Sequence, residues 1–305
     1  MSEVSLNHRG YQCPPLDLLN GHVPIFCSKQ FQNNTMELPC AIGTTEDKEA
    51  FMFDLAKAHH LLVAGATGQG KTACLNAIIC SLLLKKAPSE LQFVLVDTKG
   101  CEFKIYAPLY NIFLKESPNG IIYDFYHCLG VIDLLRSLMD NRFDRFKEAD
   151  VRSITEYNQK YPEQPMPYVV TVIDEYSDLL MVLGREFESK LSNLAAQSWR
   201  VGIHFVICTQ RPTTNIITGW IRANFPARIA FRVSEGFDSK TIIDRAGAEC
   251  LNGKGDMLVI TDSLDPVHIQ GVYIEDKEIE RIVSYIAQQR NYDRSKTSDI
   301  TTCTE

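Results

Sequence analysis

The chain has 305 residues, 45% of them hydrophobic and 23% charged, with 31 Lys and Arg against 38 Asp and Glu for a formal net charge of −7. This composition fits a soluble globular protein with one large core or two modest ones, and its acidity excludes DNA adhesion over the whole surface while leaving room for a local basic stripe. Ten scattered cysteines with no C-x-x-C pair make no zinc or disulfide framework, no apolar run approaches the roughly 20 residues of a membrane span, and "MSEVSLNHRGYQ" has no signal core, so a cytoplasmic chain is expected.

Residues 1–40 carry Pro14, Pro15, Pro24 and Pro39 with little periodicity and read as an irregular N-terminal segment. Within residues 41–290, five near-continuous apolar runs alternate with helical patterns: "LLVA" (61–64), "LQFVLVD" (91–97), "YVVTVID" (168–174), "GIHFVICTQ" (202–210) and "ARIAFRV" (227–233). Strands of that kind are buried on both faces, so the expected class is α/β, a mostly parallel sheet with helices on both sides. The clearest amphipathic helix covers residues 130–146, and the polar residues 291–305 read as a disordered tail.

The first run leads into Gly65-Ala66-Thr67-Gly68-Gln69-Gly70-Lys71-Thr72, a complete G-x-x-x-x-G-K-[ST] match. Chance produces that pattern in about one chain of this size in a hundred, so its surroundings decide. A strand-like run precedes it, and "KTACLNAIICSLLLKK" follows with apolar residues at helical spacing. Loop N–H groups and a helix N-terminus then converge where polyanionic phosphate is stabilised. Lys71 is placed to reach the β- and γ-phosphates of ATP, and the Thr72 hydroxyl to sit on Mg²⁺.

A phosphate cradle of this type also needs an acid at the end of a neighbouring strand. "YVVTVIDEYSDLL" offers Asp174 for the Mg²⁺ shell and Glu175 as the general base that polarises the attacking water. Another run ends in Thr209 and Gln210, whose amide could reach the γ-phosphate or the lytic water.

The segment "GIHFVICTQRPTTNIITGWIRANFPARIAFRVSEGFDSKTIIDRAGAECLNGKGDMLVI" resembles the motor domain of the FtsK/SpoIIIE family of hexameric double-stranded DNA translocases. So do "YQCPPLDLL", "DLAKAHHLLVAGATGQGKT", "VLVDTKGCEFKIY" and "PVHIQGVYIEDKEIERIV". The resemblance implies a RecA-like P-loop NTPase fold, ATP and Mg²⁺ as cofactors, and a ring that pumps duplex DNA through its centre. It also suggests Arg228 as the first choice for an arginine finger acting on a neighbour's γ-phosphate, with Arg200 and Arg222 as alternatives, and Arg152 and Lys240 as DNA phosphate contacts.

Family members usually place a domain of about a hundred residues between the "PPLDLL" segment and the core. Here only "NGHVPIFCSKQFQNNTMELPC" intervenes, so residues 1–40 read as a shortened remnant of a linker or first motor subdomain. Within these residues, neither the winged helix that usually follows the core nor a membrane region before it is expected. The chain is expected to be either a shortened piece of a larger translocase, membrane-associated only through other parts, or a natural minimal member. A hexamer is expected, forming from monomers or small oligomers at high concentration or on DNA. The competing functions are a coupling ATPase of conjugation or type VII secretion, moving DNA or protein, and a nucleotide-binding scaffold without turnover.

Overall fold

The computed structural model describes residues 6–7, 11–19, 23–110, 112–114, 120–261 and 265–289. The tail expected to be disordered, 291–305, lies outside the described residues. Among those described, no helix is long and apolar enough to cross a membrane.

A small hairpin, β1 (Leu6–Asn7) and β2 (Tyr11–Gln12), precedes two short helices, α1 (Pro24–Cys27) and α2 (Lys29–Gln32). The main sheet begins with β3 (Pro39–Thr45) and β4 (Ala50–Asp54), followed by α3 (Leu55–Ala58), β5 (Leu61–Ala64), α4 (Lys71–Leu83), β6 (Leu91–Val96) and β7 (Ile121–Ile122). Next come α5 (Phe125–Ala149), α6 (Ile154–Lys160), β8 (Tyr168–Ile173), α7 (Tyr176–Ser198) and β9 (Ile203–Thr209). The chain continues through α8 (Gly219–Asn224), β10 (Ala227–Phe231), α9 (Gly236–Ile243), β11 (Asp256–Ile260), β12 (Val267–Gly271) and α10 (Asp276–Gln288).

The ten strands are ordered β4-β3-β12-β11-β10-β5-β9-β8-β6-β7. From β10 to β7 every pairing is parallel, and all five runs expected to be strands fall in this half. Their alternation with helices dictates the arrangement, because a parallel neighbour requires a crossover. The other half, β11, β12, β3 and β4, is antiparallel and widens the sheet beyond what the apolar runs suggested.

α5 is longer than its expected 130–146 stretch because Asp124 caps it, accepting from the amides of Tyr126 and His127, both at 2.9 Å. α4 is buried nearly all round, between the sheet and α10. Its one buried hydroxyl, Ser81, donates to Pro39 O and accepts from Ala41 N, tying the helix to β3. The proline-rich N-terminal segment contributes Tyr11, Leu19, Phe26 and Phe31 to the same core. Its backbone is held from the far end of the chain: Arg281 donates to Leu18 O, and the Gln289 amide brackets Gln12.

Two buried histidines cross-link the strands beneath the site. His60 Nδ1 accepts from Phe205 N, so its Nε2 donates to Ala195 O, while His204 Nδ1 donates to His59 O. Burial pushes His60 down to about 3 and His204 to about 4. As pH falls below about 6.5, the unfolded chain takes up two protons that the folded chain refuses, and stability falls. Asp174 acts in the opposite sense, because burial pushes its carboxyl up to about 7 from 3.8 and the folded chain holds one proton the unfolded chain lacks. The two histidines outweigh the one carboxyl, so stability to urea should fall between pH 6 and 5. Equal or greater stability at pH 5 would contradict neutral burial of the pair.

Candidate nucleotide-binding site

The C-terminal ends of four adjacent parallel strands, β5, β9, β8 and β6, meet at one edge of the sheet. β5 delivers the glycine-rich loop there. Gly68 (φ 75°) and Gly70 (φ 115°) take left-handed backbone angles, which let the loop curl and start α4 at Lys71. The loop is seated on its neighbours: Gly65 N donates to Thr209 O, and Ala66 N to Arg232 O. A Cβ on Gly70 would stand 2.9 Å from the backbone of Gly255, so glycine is also a packing requirement there.

The Lys71 side chain is largely buried, and its Nζ donates to Ala66 O at 2.7 Å, across the mouth of the loop. Burial lowers its pKa, with the nearby Asp174 and Glu175 carboxylates opposing that. Glu175, only 4% exposed, follows β8 and caps α7. Its carboxylate accepts from Ser177 Oγ (2.7 Å), Thr209 Oγ1 (2.7 Å) and Gln210 N (3.1 Å). The Gln210 side-chain oxygen in turn accepts from Thr67 Oγ1. One hydrogen-bonded chain therefore runs from the glycine loop through Gln210 to Glu175, joining Thr67 to residues 143 and 108 positions further along the sequence.

Asp174 is half-buried beside that chain. Burial, then the carboxylates of Glu102, Asp97 and Glu175, raises its pKa to about 7. A carboxylate penalised this way is stabilised by a cation, and Thr72 is the second residue of α4, directly after the glycine loop. These groups fit a triphosphate with its magnesium: an ammonium parked on a carbonyl, a curled donor-rich loop and a carboxylate short of positive charge.

The residues singled out from sequence thus divide in two. Gly65 to Thr72, Asp174, Glu175 and Gln210 come together. Arg152, Arg200, Arg222 and Arg228 lie near the N-terminal edge of the parallel strands, the edge opposite the loop. Arg228 is the second residue of β10, in register with Leu62. Its side chain is 12% exposed and bonds Phe225 O, Ile242 O, Arg222 O and Asp244. Arg222 shares Asp244 and is 41% exposed. Arg200 lies over the Trp199 ring, itself stacked on His59, and lines with Arg152 a surface groove of about 710 Å³. Lys240 is exposed on α9.

Sequence reasoning passed over Asp97 and Lys99. Asp97 directly follows β6, is fully buried, and accepts from the amides of Gly100, Glu102 and Phe103. The turn it builds carries Lys99, whose Nζ lies 3.5 Å from Asp178 on α7. An acid closing a wholly apolar strand, the signal that marked Asp174, was present in "LQFVLVD" as well.

The FtsK/SpoIIIE family model matches residues 23–214. DNA translocase FtsK of Chlorobaculum tepidum is 42% identical over 266 residues, covering 86% of this chain and 33% of that protein. DNA translocase SftA of Bacillus subtilis is 41% identical over 267 residues, covering 86% of this chain and 28% of that protein. The chain therefore spans about a third or less of the length of these curated relatives. Among solved structures, the pCW3 conjugation coupling protein TcpA, in monomer form with ATPγS, superposes with a TM-score of 0.73 at 27% identity, covering 86% of this chain and 73% of that one. The cytoplasmic domain of the type VII secretion ATPase EccC from Thermomonospora curvata gives 0.67 at 21% identity, over 82% of this chain and 31% of that one, a likeness of fold alone. The fold is that of a P-loop ATPase, and on the family match, the identities and the glycine loop set beside Asp174 and Glu175, the chain belongs to the FtsK/SpoIIIE family.

Proposed function

We propose that this chain is an ATP-hydrolysing motor that translocates double-stranded DNA as a hexameric ring on the cytoplasmic side of a cell, in chromosome segregation or DNA transfer. The observation carrying the ATPase reading is the chain of hydrogen bonds from Thr67 through Gln210 to Glu175, which links phosphate cradle, sensor amide and base. Lys71 would exchange Ala66 O for phosphate oxygens, and Thr72 with Asp174 would hold Mg²⁺, which neutralises phosphate charge when bound. Glu175, preset by Ser177 and Thr209, would accept a proton from the attacking water while Gln210 orients it.

The named relatives are DNA translocases, which favours duplex DNA as cargo. Arg152 and Lys240 are the proposed phosphate contacts. The second reading, a coupling ATPase of conjugation or type VII secretion, is favoured by the likeness to TcpA.

Measuring ATP hydrolysis with and without linear duplex DNA tests the proposal. Stimulation by duplex of any sequence is expected; no hydrolysis in either condition removes the motor reading, and indifference to DNA favours the second one. Duplex affinity should fall steeply with salt, and Arg152→Ala or Lys240→Ala should each reduce the salt slope by about one unit. Affinity that persists at high salt would count against phosphate contacts.

A further inference from the structure

The loop at 252–255 leans on the phosphate cradle. Gly255 N donates to Gln69 O at 2.9 Å, Gly271 N donates to Gly255 O at 2.8 Å, and Gln270 Nε2 donates to Lys254 O at 3.1 Å. A Cβ on Gly253 would run into the Gln69 amide oxygen, as one on Gly70 would meet Gly255. The glycine loop thus rests, at Gln69 and Gly70, on a second glycine-rich loop.

That second loop is anchored by Asp256, 3% exposed at the start of β11. One of its oxygens accepts from Asn252 N at 2.7 Å and Asn252 Nδ2 at 3.1 Å, and the other meets His268 Nε2. His268 Nδ1 meets Glu46 Oε1 at 2.7 Å, from the connection between β3 and β4. The charged groups facing the ring are therefore carboxylates on both sides, Asp256 from β11 and Glu46 from the β3–β4 connection. Only a ring protonated on both nitrogens donates to both. The Glu46 hydrogen bond first, with Asp256 alongside it, raises the imidazole above its usual value against the lowering effect of partial burial. A neutral ring would leave one carboxylate facing a lone pair and the buried Asp256 without a counter-charge.

We propose that His268, as an imidazolium shared between Glu46 and Asp256, is a positioning residue for the glycine loop, holding residues 252–255 against Gln69 and Gly70 so that the cradle is shaped before nucleotide arrives. The proposal rests on the nucleotide reading of that loop. It ties nucleotide affinity to a group on the antiparallel half of the sheet, and makes that affinity weaken as pH rises and His268 loses its second proton.

The test compares the parent chain, His268→Gln, His268→Arg and Lys71→Ala by ATP binding and by amide exchange at Gly255. His268→Gln, which offers no charge to the two carboxylates, should weaken ATP binding by roughly fivefold and lower the protection of the Gly255 amide. His268→Arg keeps a cation between the two acids and should restore both. Raising pH from 6.5 to 8.5 should weaken binding by the parent relative to His268→Arg. The proposal is overturned if affinity and protection do not move together, if His268→Arg behaves like His268→Gln, or if the two pH profiles coincide. A parent that binds no ATP would sink the nucleotide reading and this proposal with it. Failure of the proposal alone looks different: the parent binds, Lys71→Ala does not, and His268→Gln matches the parent.

Discussion

A Lys71→Ala chain should fold normally and lose ATP turnover by roughly a thousandfold or more, whereas Glu175→Gln should keep nucleotide binding and stall at hydrolysis. The lysine is removable because the loop does not need it for its shape: Gly68 and Gly70 set the curl, and Gly255 supports it from behind. Burial disfavours the ammonium in the nucleotide-free chain, so the alanine variant should unfold no more readily than the parent. It loses the one cation that reaches phosphate from within the loop. At Glu175 a glutamine oxygen can still accept from Gln210 N, and the hydroxyls of Ser177 and Thr209 can rotate to accept from the new amide. The site therefore keeps its form while losing the group that takes the proton, and turnover should fall by about 10²–10⁴. Equilibrium titration with Mg²⁺ and ATP separates the two variants from each other, and phosphate release measures the loss. Turnover of Glu175→Gln at the parental rate would end its assignment as base.

The parts of the fold legible in sequence are those whose environment repeats along the chain. β5, β6, β8, β9 and β10 are covered on both faces, so apolar residues dominate each run and it stands out against the polar loops. β12 offers no such run: Val267 and Gln270 face solvent and only Ile269 is fully buried. It pairs with β3 more than 220 residues earlier, and nothing local announces a partner so distant. The N-terminal prolines point to irregular chain, yet Tyr11, Leu19, Phe26 and Phe31 are core residues, because burial there is decided by contacts with α10, β3 and β4 rather than by periodicity.

The same division runs through the site. Asp174, Glu175 and Gln210 were legible because each ends an apolar strand, and neighbouring parallel strands end at a common edge. The contact of Thr67 with Gln210 follows from β5 lying beside β9, a pairing the spacing allows without naming. The support beneath the loop is a different matter. Glu46, Asp256 and His268 belong to three elements and carry no spacing signal, so only the folded sheet brings them together. The resemblance makes Arg228 the first choice for an arginine finger; in the fold its guanidinium serves four acceptors of its own chain.

Mixing Lys71→Ala chains with arginine variants should recover ATP hydrolysis that neither population shows alone. Arg222 and Arg228 lie at the sheet edge opposite the glycine loop, so neither can reach the phosphate held by its own chain, and any role at the γ-phosphate must be played on a neighbour. The two are not equivalent. Arg228→Ala would strip donors from Phe225 O, Ile242 O, Arg222 O and Asp244 together, and should lower stability as well as activity. Arg222 is more exposed, shares Asp244, and its buried Nε has no acceptor among the described residues. It can swing outward at less cost, with Arg228 still holding Asp244. In a ring built entirely of Arg222→Ala, turnover should fall by about a thousandfold with ATP binding unchanged, as expected when a single transition-state cation is lost. Lys71→Ala subunits keep both arginines and should supply the missing one across each mixed interface. Hydrolysis by the parent should also rise faster than linearly with protein concentration, since an isolated subunit has cradle and base but no neighbour. Rings shown to contain both chains yet remaining inactive would eliminate Arg222 and, by the same mixture with Arg228→Ala, Arg228; Arg200, stacked on Trp199, would then be the arginine to vary.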